Sequence, residues 1–556
     1  MGTGSISVIE GIIKTRYNHS LQDLFIMDDN KNKWLKSKGY LHITPQIDIG
    51  INPQRIISKI QSEEFVSTHS FYPLIHAIIK ERKFKKVNGV RTHSFFNEKK
   101  GVFESTAKKR PLHYSTHIDA LIFGYYSELL QVEYDKKLKL INGLDDVVIA
   151  YRKIPIDKDS FNSKGKSTIH FSNEVFEEIK NRVKENDECV VLTFDIKSFF
   201  SSLNHRKLFN AWADLMFANE KKLPPAHYNV FKACTRFSYI MKDDLRIEAN
   251  KGGRKSGFDE KKLSFIRNNY GKNCFFESYE DFRSKLKSGE LKIYNNQFWD
   301  KKNKCPIGIP QGLPISSILA NLYLLDFDTE IVKFVMHDLK GYYRRYSDDI
   351  VIVCTREQMF SVEECVKRNI SKCELTVSED KTEKFIFKNE GKLKSYKILE
   401  NDLTKLSDLC PLIYLGFEFN GTKVRVKSSN MARFYRRMAG SVRKKAKRAY
   451  RIAQENGDSK IVIFRSQLKR TYLLGNLKHN QIYIKKKSFV KLDNGMYRLE
   501  VIKHPISKKG SYSKYIERVS EIMKDDDILK NFERKQKHIF NKAIHKQICK
   551  YKNRLN

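Results

Sequence analysis

The sequence predicts an α+β fold in which strands deliver acidic residues to one site and a basic helical region follows. The stretch 346–349 (Tyr-Ser-Asp-Asp) precedes the β-branched run 350–354, a pattern typical of two strands joined by an acidic turn. A second strand-like run, 190–194, ends on Asp195. Residues 433–451 contain nine Lys or Arg and no acid. These three observations predict the fold class.

The Asp pair at 348–349 must be weighed against ordinary turns, because the chain has four other runs of adjacent aspartates. Most such runs lie in solvated turns or at helix starts. The nearest rival is 145–146, which precedes the strand-like run 147–151, but Asn-Gly-Leu before it marks an ordinary turn. Only the pair at 348–349 is accompanied by another acid at a strand end.

Three carboxylates at neighbouring strand ends suit two divalent cations and in-line phosphoryl transfer. We therefore predict that Asp195 and Asp348 bind two Mg²⁺ ions, with Mn²⁺ as an alternative ion, and that Asp349 completes their shell. Lys381 is predicted to protonate the leaving pyrophosphate, and a solvated surface lysine is the alternative. The predicted catalytic residues are Asp195, Asp348, Asp349 and Lys381, and the predicted metal ligands are Asp195, Ile196, Asp348 and Asp349.

Residues around these acids are predicted to hold a nucleoside triphosphate. Arg152 and Lys153 follow the predicted strand and place two cations where a triphosphate would lie. Gln311 lies in a rigid Pro/Gly loop that opens a helix, so it could touch the base pair and sugar without demanding a sequence. Phe200 is the candidate barrier against a ribose 2′-hydroxyl, with a plain core phenylalanine as the alternative.

The charge of the chain predicts a polyanionic partner. Its 556 residues carry 105 Lys plus Arg against 65 Asp plus Glu, which gives a formal net charge of +40. Nucleic acid is the first candidate, and a generally lysine-rich composition is the alternative explanation. Nine cysteines without a CxxC pair predict reduced thiols in a cytoplasmic protein and no structural zinc. No apolar run reaches membrane-spanning length, so no membrane is expected.

Helical spacing predicts helices over 117–130 and 171–183, the second capped by Ser172 or Asn173. The basic stretch 433–451 is also predicted to be helical, with only a narrow apolar stripe. Its cations are predicted to track a nucleic-acid backbone, and a solvated surface helix is the alternative. The residues chosen for that role are Arg443, Lys444, Lys445 and Lys447.

Taken in chain order, these elements resemble the blocks of reverse transcriptases. The stretches 110–111 (Arg-Pro), 150–152 (Ala-Tyr-Arg), 195–200 (Asp-Ile-Lys-Ser-Phe-Phe) and 316–321 (Ser-Ser-Ile-Leu-Ala-Asn) most resemble the bacterial defence-associated and abortive-infection branch. Retron and group II intron enzymes are more distant relatives, because the Val-Thr-Gly element of the former and the endonuclease tail of the latter are missing. The resemblance covers roughly 110–420.

The resemblance implies a right-hand polymerase with palm and fingers of the reverse transcriptase type, plus a basic α-helical thumb and C-terminal extension. It implies RNA- or self-directed DNA synthesis with Mg²⁺ and a role against phage infection. Arg152 and Lys153 match triphosphate-contacting positions of the family, and Gln311 its nucleotide-binding loop. The predicted domains are an N-terminal extension of unknown role at 1–109, fingers and palm at 110–425 with an insertion at 206–305, and the thumb and C-terminal domain at 426–556.

Two other functions are weighed against DNA synthesis. RNA-dependent RNA polymerases share the palm, but they typically have a small or polar residue where Phe200 stands. A catalytically dead palm serving as an RNA-binding scaffold fits the charge but not the presence of all three acids. The expected partners are a structured non-coding RNA template, dNTPs and a DNA product. Self-association of the chain into an oligomer is left open. The template's identity and the priming group are not predicted.

Overall fold

A six-stranded antiparallel sheet, here called the central sheet, forms the middle of the structure, a computed structural model. The two strand-like runs that flank the predicted acids are neighbours in it. In order across the sheet, its strands are Tyr342–Tyr346, Asp349–Cys354, Glu188–Asp195, Glu383–Asn389, Leu393–Leu399 and Asp402–Leu409. The structure describes residues 32–81, 85–87, 90–98, 101–157, 163–247, 257–473, 482–506 and 511–555.

Both faces of the central sheet are buried. Side chains alternate along a strand, so Val190, Leu192 and Phe194 enter one core. Cys189 and Val191 enter a second core on the opposite face. The first core is covered by helices that include His117–Lys139, Ser316–Tyr323 and Leu325–Ile331, and the second by Thr168–Asn186 and Tyr512–Met523.

The helix predicted at 117–130 is confirmed and continues to Lys139. It begins where the Thr116 hydroxyl accepts a hydrogen bond from the Asp119 amide at 3.3 Å. Asp119 in its first turn and three lysines in its last turn complement the helix dipole. The helix is long because both of its ends are stabilised and its middle is buried.

The helix predicted at 171–183 is also confirmed, but its predicted cap is wrong. The helix spans Thr168–Asn186 and begins after Ser167, whose amide donates to His170 Nδ1 at 3.0 Å. Ser172 lies inside the helix, where its hydroxyl donates to the Thr168 carbonyl at 2.7 Å. Such a bond to the preceding turn is an alternative to capping that sequence alone does not exclude.

A second sheet, here called the N-terminal sheet, joins segments far apart in sequence. The strand Leu74–Glu81 pairs antiparallel with Lys108–Tyr114 and parallel with Ser238–Met241, which in turn pairs with Tyr294–Asn295. Two short helices precede this sheet and two hairpins interrupt it. These elements are the helices Pro53–Gln61 and Glu63–Thr68, and the strand pairs Lys85–Val87 with Val90–Thr92 and Ser94–Asn97 with Val102–Ser105.

The predicted domain division stays a prediction, although the structure bears on its edges. The boundary after 109 falls inside the strand Lys108–Tyr114, and the boundary after 425 falls inside Val424–Val426. Strands from the predicted insertion complete the N-terminal sheet, so the insertion and the N-terminal extension contribute strands to one sheet. Residues 1–31 of the extension and 248–256 of the insertion lie outside the described residues.

The C-terminal region is built on two long helices, Ser428–Asn456 and Asp526–Leu555, packed against each other. Met438, Val442 and Phe540 lie in their shared core. In the part of the chain that the structure describes, no helix combines the length and apolar character needed to cross a membrane. A three-stranded sheet (Leu412–Tyr414, Phe417–Phe419, Val424–Val426) precedes these helices, and the hairpin Ile482–Lys491 with Tyr497–Ile506 and the helix Ser466–Tyr472 lie between them.

Further short elements complete the described chain. Most of them surround the first core or belong to the predicted insertion. The helices are Leu144–Val147, His205–Met216, Pro225–Thr235, Glu260–Tyr270, Tyr279–Lys287, the π-helix Val332–Asp338 and Met359–Lys372. The 3-10 helices are Phe199–Ser201, Lys242–Leu245 and Glu379–Lys381, and the remaining strands are Trp299–Asp300 and Cys305–Pro306.

A buried histidine makes the stability of the N-terminal part depend on pH. His42 Nε2 lies 3.0 Å from the Tyr114 carbonyl oxygen, and His42 Nδ1 accepts from the Ile43 amide at 2.8 Å. Only a neutral ring satisfies both contacts, and burial lowers the pKa of His42 to about 3. The unfolded chain, with a pKa of about 6.5, therefore takes up a proton first as the pH falls.

We expect this histidine to reduce the free energy of unfolding by about 1.4 kcal/mol per pH unit below about pH 6.5. A His42→Gln variant should be less stable than wild type at pH 7, and this difference should narrow as the pH falls to 5. Urea unfolding at several pH values measures it. A difference that stays constant over that range would show that His42 is not held neutral.

Candidate active site

The structure brings the three predicted carboxylates to one end of the central sheet. Asp349 is the direct antiparallel partner of Asp195. Asp348 occupies the turn between the first two strands, and its carbonyl accepts from the Ile196 amide at 3.3 Å. Ser347, which precedes it, has a left-handed φ of 61°. Sheet register thus assembles residues that are far apart in sequence, as the strand-end pattern predicted.

The electrostatics of this end of the sheet favour a bound cation. Burial, followed by repulsion from Asp348 and Asp195, raises the pKa of Asp349 to about 6, although its side chain retains solvent contact. Burial also raises the pKa of Asp348, and Asp195 adds to that shift. A divalent cation would relieve this mutual repulsion and stabilise the ionised forms.

The donor set fits Mg²⁺ better than zinc, because all of its atoms are oxygens. Ile196 could contribute only its main-chain carbonyl. Within the described ranges, no three His, Cys, Asp or Glu side chains converge as a ready-made metal cage. Mg²⁺ commonly binds through one or two carboxylates together with phosphate oxygens and water. The residues therefore fit a site that is completed by its substrate.

Lys381 lies directly against the carboxylates. Its Nζ forms an ion pair with Asp195 Oδ1. The short turn that carries Lys381 is anchored by the Ser378 amide, which donates to the Asp195 carbonyl at 2.8 Å. The side chain remains half exposed. Lys381 is therefore a cation at the site rather than an unrelated surface lysine, while its acid role stays a prediction.

The loop that carries Gln311 is clamped between two elements. The Gln311 carbonyl accepts from the His113 amide at 2.7 Å, and the Ile309 amide donates to the Phe200 carbonyl at 2.8 Å. Gly312 has a φ of +113°, and a Cβ there would lie 2.5 Å from the His113 carbonyl oxygen. Only glycine fits this close approach. The loop is thereby held beside the turn that carries Phe200.

Phe199 and Phe200 have different environments. Phe199 is 3% exposed and belongs to the first core. Phe200 is only partly buried, and the two ring centroids lie 5.6 Å apart. Phe200 therefore packs against the first core while part of its side chain stays accessible, and its role in sugar selection stays a prediction.

The strand predicted at 147–151 is wrong, and the environment of Arg152 explains why. Residues Leu144–Val147 form a helical turn, and only Val148 makes a β-bridge. Arg152 Nη1 donates to the carbonyls of Asp145 and Val148 at 2.7 and 3.0 Å. These bonds hold the segment in a curved conformation that an extended strand cannot adopt.

The two predicted triphosphate contacts differ in how available they are. The Arg152 side chain is 6% exposed, and its guanidinium forms ion pairs with Asp135 and Asp145. A phosphate would have to compete with those carboxylates. Lys153 is exposed. Both assignments stay predictions, and Lys153 is the one whose charge is accessible.

The helix Ser428–Asn456, here called the basic helix, has the narrow apolar stripe that the sequence predicted. Met438, Val442 and Ala446 are fully buried against the last helix. Arg443, Lys444 and Lys447 are exposed on the remaining circumference. The fourth predicted contact, Lys445, donates to Gln467 Oε1 at 2.6 Å. Three of the four cations are therefore free to meet a polyanion, and nucleic-acid binding by them stays a prediction.

Sequence reasoning missed the residues that support the acidic turn. Arg345 and Asp328 are both inaccessible to solvent and form an ion pair with Nη2 and Oδ2 2.5 Å apart. Two signals could have found them: Arg345 falls on the same face of its strand as Tyr343, and Asp328 lies on the same side of its helix as Ile331. Charged side chains are almost never fully buried unless paired.

Residues 257–419 match the family described as reverse transcriptase (RNA-dependent DNA polymerase). The match contains Gln311, Asp348, Asp349 and Lys381, whereas Asp195 lies outside it and is brought in by strand pairing. The chain therefore carries a reverse transcriptase domain. For these residues, the expected superfamily, the α+β right-hand polymerase fold and the enzyme class are confirmed, and the activity of the whole chain stays a proposal.

Solved structures with some likeness to the chain include telomerases, and no curated protein matches it. Apo telomerase from Candida tropicalis, truncated from its C-terminal domain, has a TM-score of 0.31 and 14% identity over 59% of this chain and 53% of its own. Telomerase from Candida albicans in complex with the TWJ fragment of telomeric RNA has a TM-score of 0.31 and 10% identity over 67% and 49%. The chain spans about half the length of these telomerases.

Proposed function

We propose that this chain, which carries a reverse transcriptase domain, synthesises DNA on an RNA template by two-metal nucleotidyl transfer. The observation that carries the proposal is the pairing of Asp349 with Asp195 beside Asp348. Opposed carboxylates at strand ends suit cations that are shared with a triphosphate. The raised pKa of Asp349, about 6, is the electrostatic mark of such a site.

The chain's own residues divide the work of the reaction. Bound Mg²⁺ would supply charge stabilisation for the attacking 3′-hydroxyl and the leaving pyrophosphate. Asp195 and Asp348 would hold the ions, and Asp349 would complete the ligand set. Lys381, whose Nζ forms an ion pair with Asp195, would carry at that Nζ the proton that the leaving pyrophosphate oxygen accepts. The ordered Gln311 loop would orient the nucleotide.

The proposed template is a structured non-coding RNA, and the proposed role is antiphage defence in the bacterial cytoplasm. The net charge of +40 and the exposed cations of the basic helix favour an RNA partner. The defence role rests on the resemblance of four sequence stretches and on no contact in the structure. DNA synthesis without a template is the alternative form of this proposal.

Sequencing the nucleic acid that copurifies with the protein, before and after addition of dNTPs, tests this proposal. The expected result is one enriched RNA species and new DNA complementary to it. DNA that does not match the RNA would indicate synthesis without a template. Labelled RNA formed from rNTPs would instead assign the chain to RNA polymerases, and RNA retention without any synthesis would make it a scaffold.

A variant at Phe200 tests sugar selection separately. An aromatic ring beneath C2′ excludes a hydroxyl by sterics, so Phe200→Ala should let ribonucleotides compete with dNTPs. We expect the ratio of dNTP to rNTP incorporation to fall by at least about tenfold. Phe199→Ala is a poor control because Phe199 is core, so Phe360→Ala, at an exposed ring on another helix, serves instead. An unchanged ratio would place the barrier elsewhere.

A further inference from the structure

A buried ion pair lies directly beneath the acidic turn. Arg345 Nε donates to Asp328 Oδ1 at 2.7 Å, and Nη2 donates to Oδ2 at 2.5 Å. The Tyr343 hydroxyl donates to the same carboxylate at 2.6 Å. Two parallel bonds fix the plane of a guanidinium. The position of Arg345 is therefore set by a helix, independently of the turn that it supports.

The remaining nitrogen of this guanidinium holds the main chain of the turn. Arg345 Nη1 donates to the Ser347 carbonyl at 3.1 Å and to Asn321 Oδ1 at 3.3 Å. Ser347 has a φ of 61°, a left-handed conformation that is unfavourable for any residue other than glycine. The bond from Arg345 offsets this strain at the residue directly before Asp348.

The same bonds continue into the loop that leads to Arg152. Asn321 is fully buried, and its Nδ2 donates to the Ala150 carbonyl at 3.0 Å. Tyr151 also has a left-handed φ, 62°, and its hydroxyl donates to Ser347 Oγ at 3.3 Å. The hydrogen bonds therefore close into a ring that runs through Arg345, Asn321, Ala150, Tyr151 and Ser347.

We propose that Tyr151 and Asn321 are positioning residues that fix the turn bearing Asp348 and couple it to the loop bearing Arg152. The inference rests on the proposed function, because it concerns the same carboxylates. Two strained residues, Tyr151 and Ser347, face each other across one hydrogen bond. Loss of that bond lets both residues relax toward ordinary backbone conformations. Asp348 then moves on one side of the bond and the loop bearing Arg152 on the other.

The test is a double-mutant cycle on this bond. Tyr151→Phe removes only a hydroxyl from a side chain that is 47% exposed, and Ser347→Ala removes the other partner. Each change should lower kcat for dNTP incorporation about three- to tenfold, with KM for dNTP changed less. The double variant should be no worse than either single one, because both remove the same interaction.

A second measurement does not depend on activity. Binding of Mn²⁺ by each variant, followed by electron paramagnetic resonance, should weaken by a similar factor because Asp348 is displaced. Asn321→Ala should weaken Mn²⁺ binding further. The unfolding curve of this variant shows how much of the weaker binding comes from a smaller folded fraction. Tyr228→Phe, at a hydroxyl whose side chain is 45% exposed on another helix, should leave every measurement unchanged.

Additive losses in the cycle, or wild-type Mn²⁺ affinity in both single variants, would overturn the inference. A rise in KM alone would also overturn it, since it would assign Tyr151 to direct nucleotide contact. Absence of any DNA synthesis by the wild type is a different result. It would refute the proposed function, while the Mn²⁺ measurement would still decide whether Tyr151 positions the carboxylates.

Discussion

Replacing Asp348 with Asn is expected to lower nucleotide incorporation by at least about a hundredfold. The change keeps the shape of the side chain but removes one negative charge from the proposed metal site. Asp348 occupies a turn whose main chain is held by Arg345 and Ile196, so the fold should persist. Binding of the RNA should stay within about twofold of wild type, because phosphate contacts made elsewhere carry affinity.

Incorporation of labelled dNTP and RNA retention on a filter measure the two effects in parallel. Asp338→Asn, at an exposed aspartate of the π-helix, is the matched control and should behave as wild type in both assays. Residual incorporation above about a tenth of wild type would remove Asp348 from the set of metal ligands. Loss of RNA binding together with incorporation would instead point to a folding defect.

Removing the charges of the basic helix is expected to have the second large effect, on affinity rather than chemistry. A variant with Gln at 443, 444, 445 and 447 lacks three exposed cations and the one that is hydrogen-bonded to Gln467. The slope of log K against log[salt] should become shallower by roughly 0.7 to 0.9 for each phosphate that the helix no longer neutralises. RNA binding at low salt should weaken at least about tenfold.

The control removes the same net charge from another surface. Lys221, Lys222, Lys301 and Lys302 are exposed in the predicted insertion, and their replacement by Gln should change the slope less. Incorporation on a saturating short primer-template should suffer less than retention of the native RNA. If the helix variant keeps its affinity and slope while the control loses them, the RNA-binding surface lies in the insertion.

The acidic end of the central sheet was the most predictable part of the molecule. A β-branched run that ends on an acid carries both its strand period and its terminus in the sequence. Asp195 could therefore be joined to Asp348 and Asp349 before any pairing was known. The narrow apolar stripe of Met438 and Val442 on the basic helix could also be predicted, because helical spacing places these residues on one face.

Other features depended on contacts that no local pattern encodes. The run 147–151 has the composition of a strand, but Arg152 binds the Val148 carbonyl within it and the Asp145 carbonyl before it, which curves the segment. The N-terminal sheet joins Leu74–Glu81 to Ser238–Met241 across the predicted domain boundary. No local pattern in the sequence predicts a parallel pairing between strands so far apart. Asp328 and Arg345 each occupy a position that sequence periodicity could have flagged, but only the structure shows that they pair.

Extension of a labelled DNA primer on a defined RNA template, with Mg²⁺ and all four dNTPs, tests the central claim most directly. The proposed function predicts a product that is complementary to the template and absent with the Asp348→Asn variant. A wild-type protein that retains RNA but extends no primer, or extends it only with rNTPs, would contradict it.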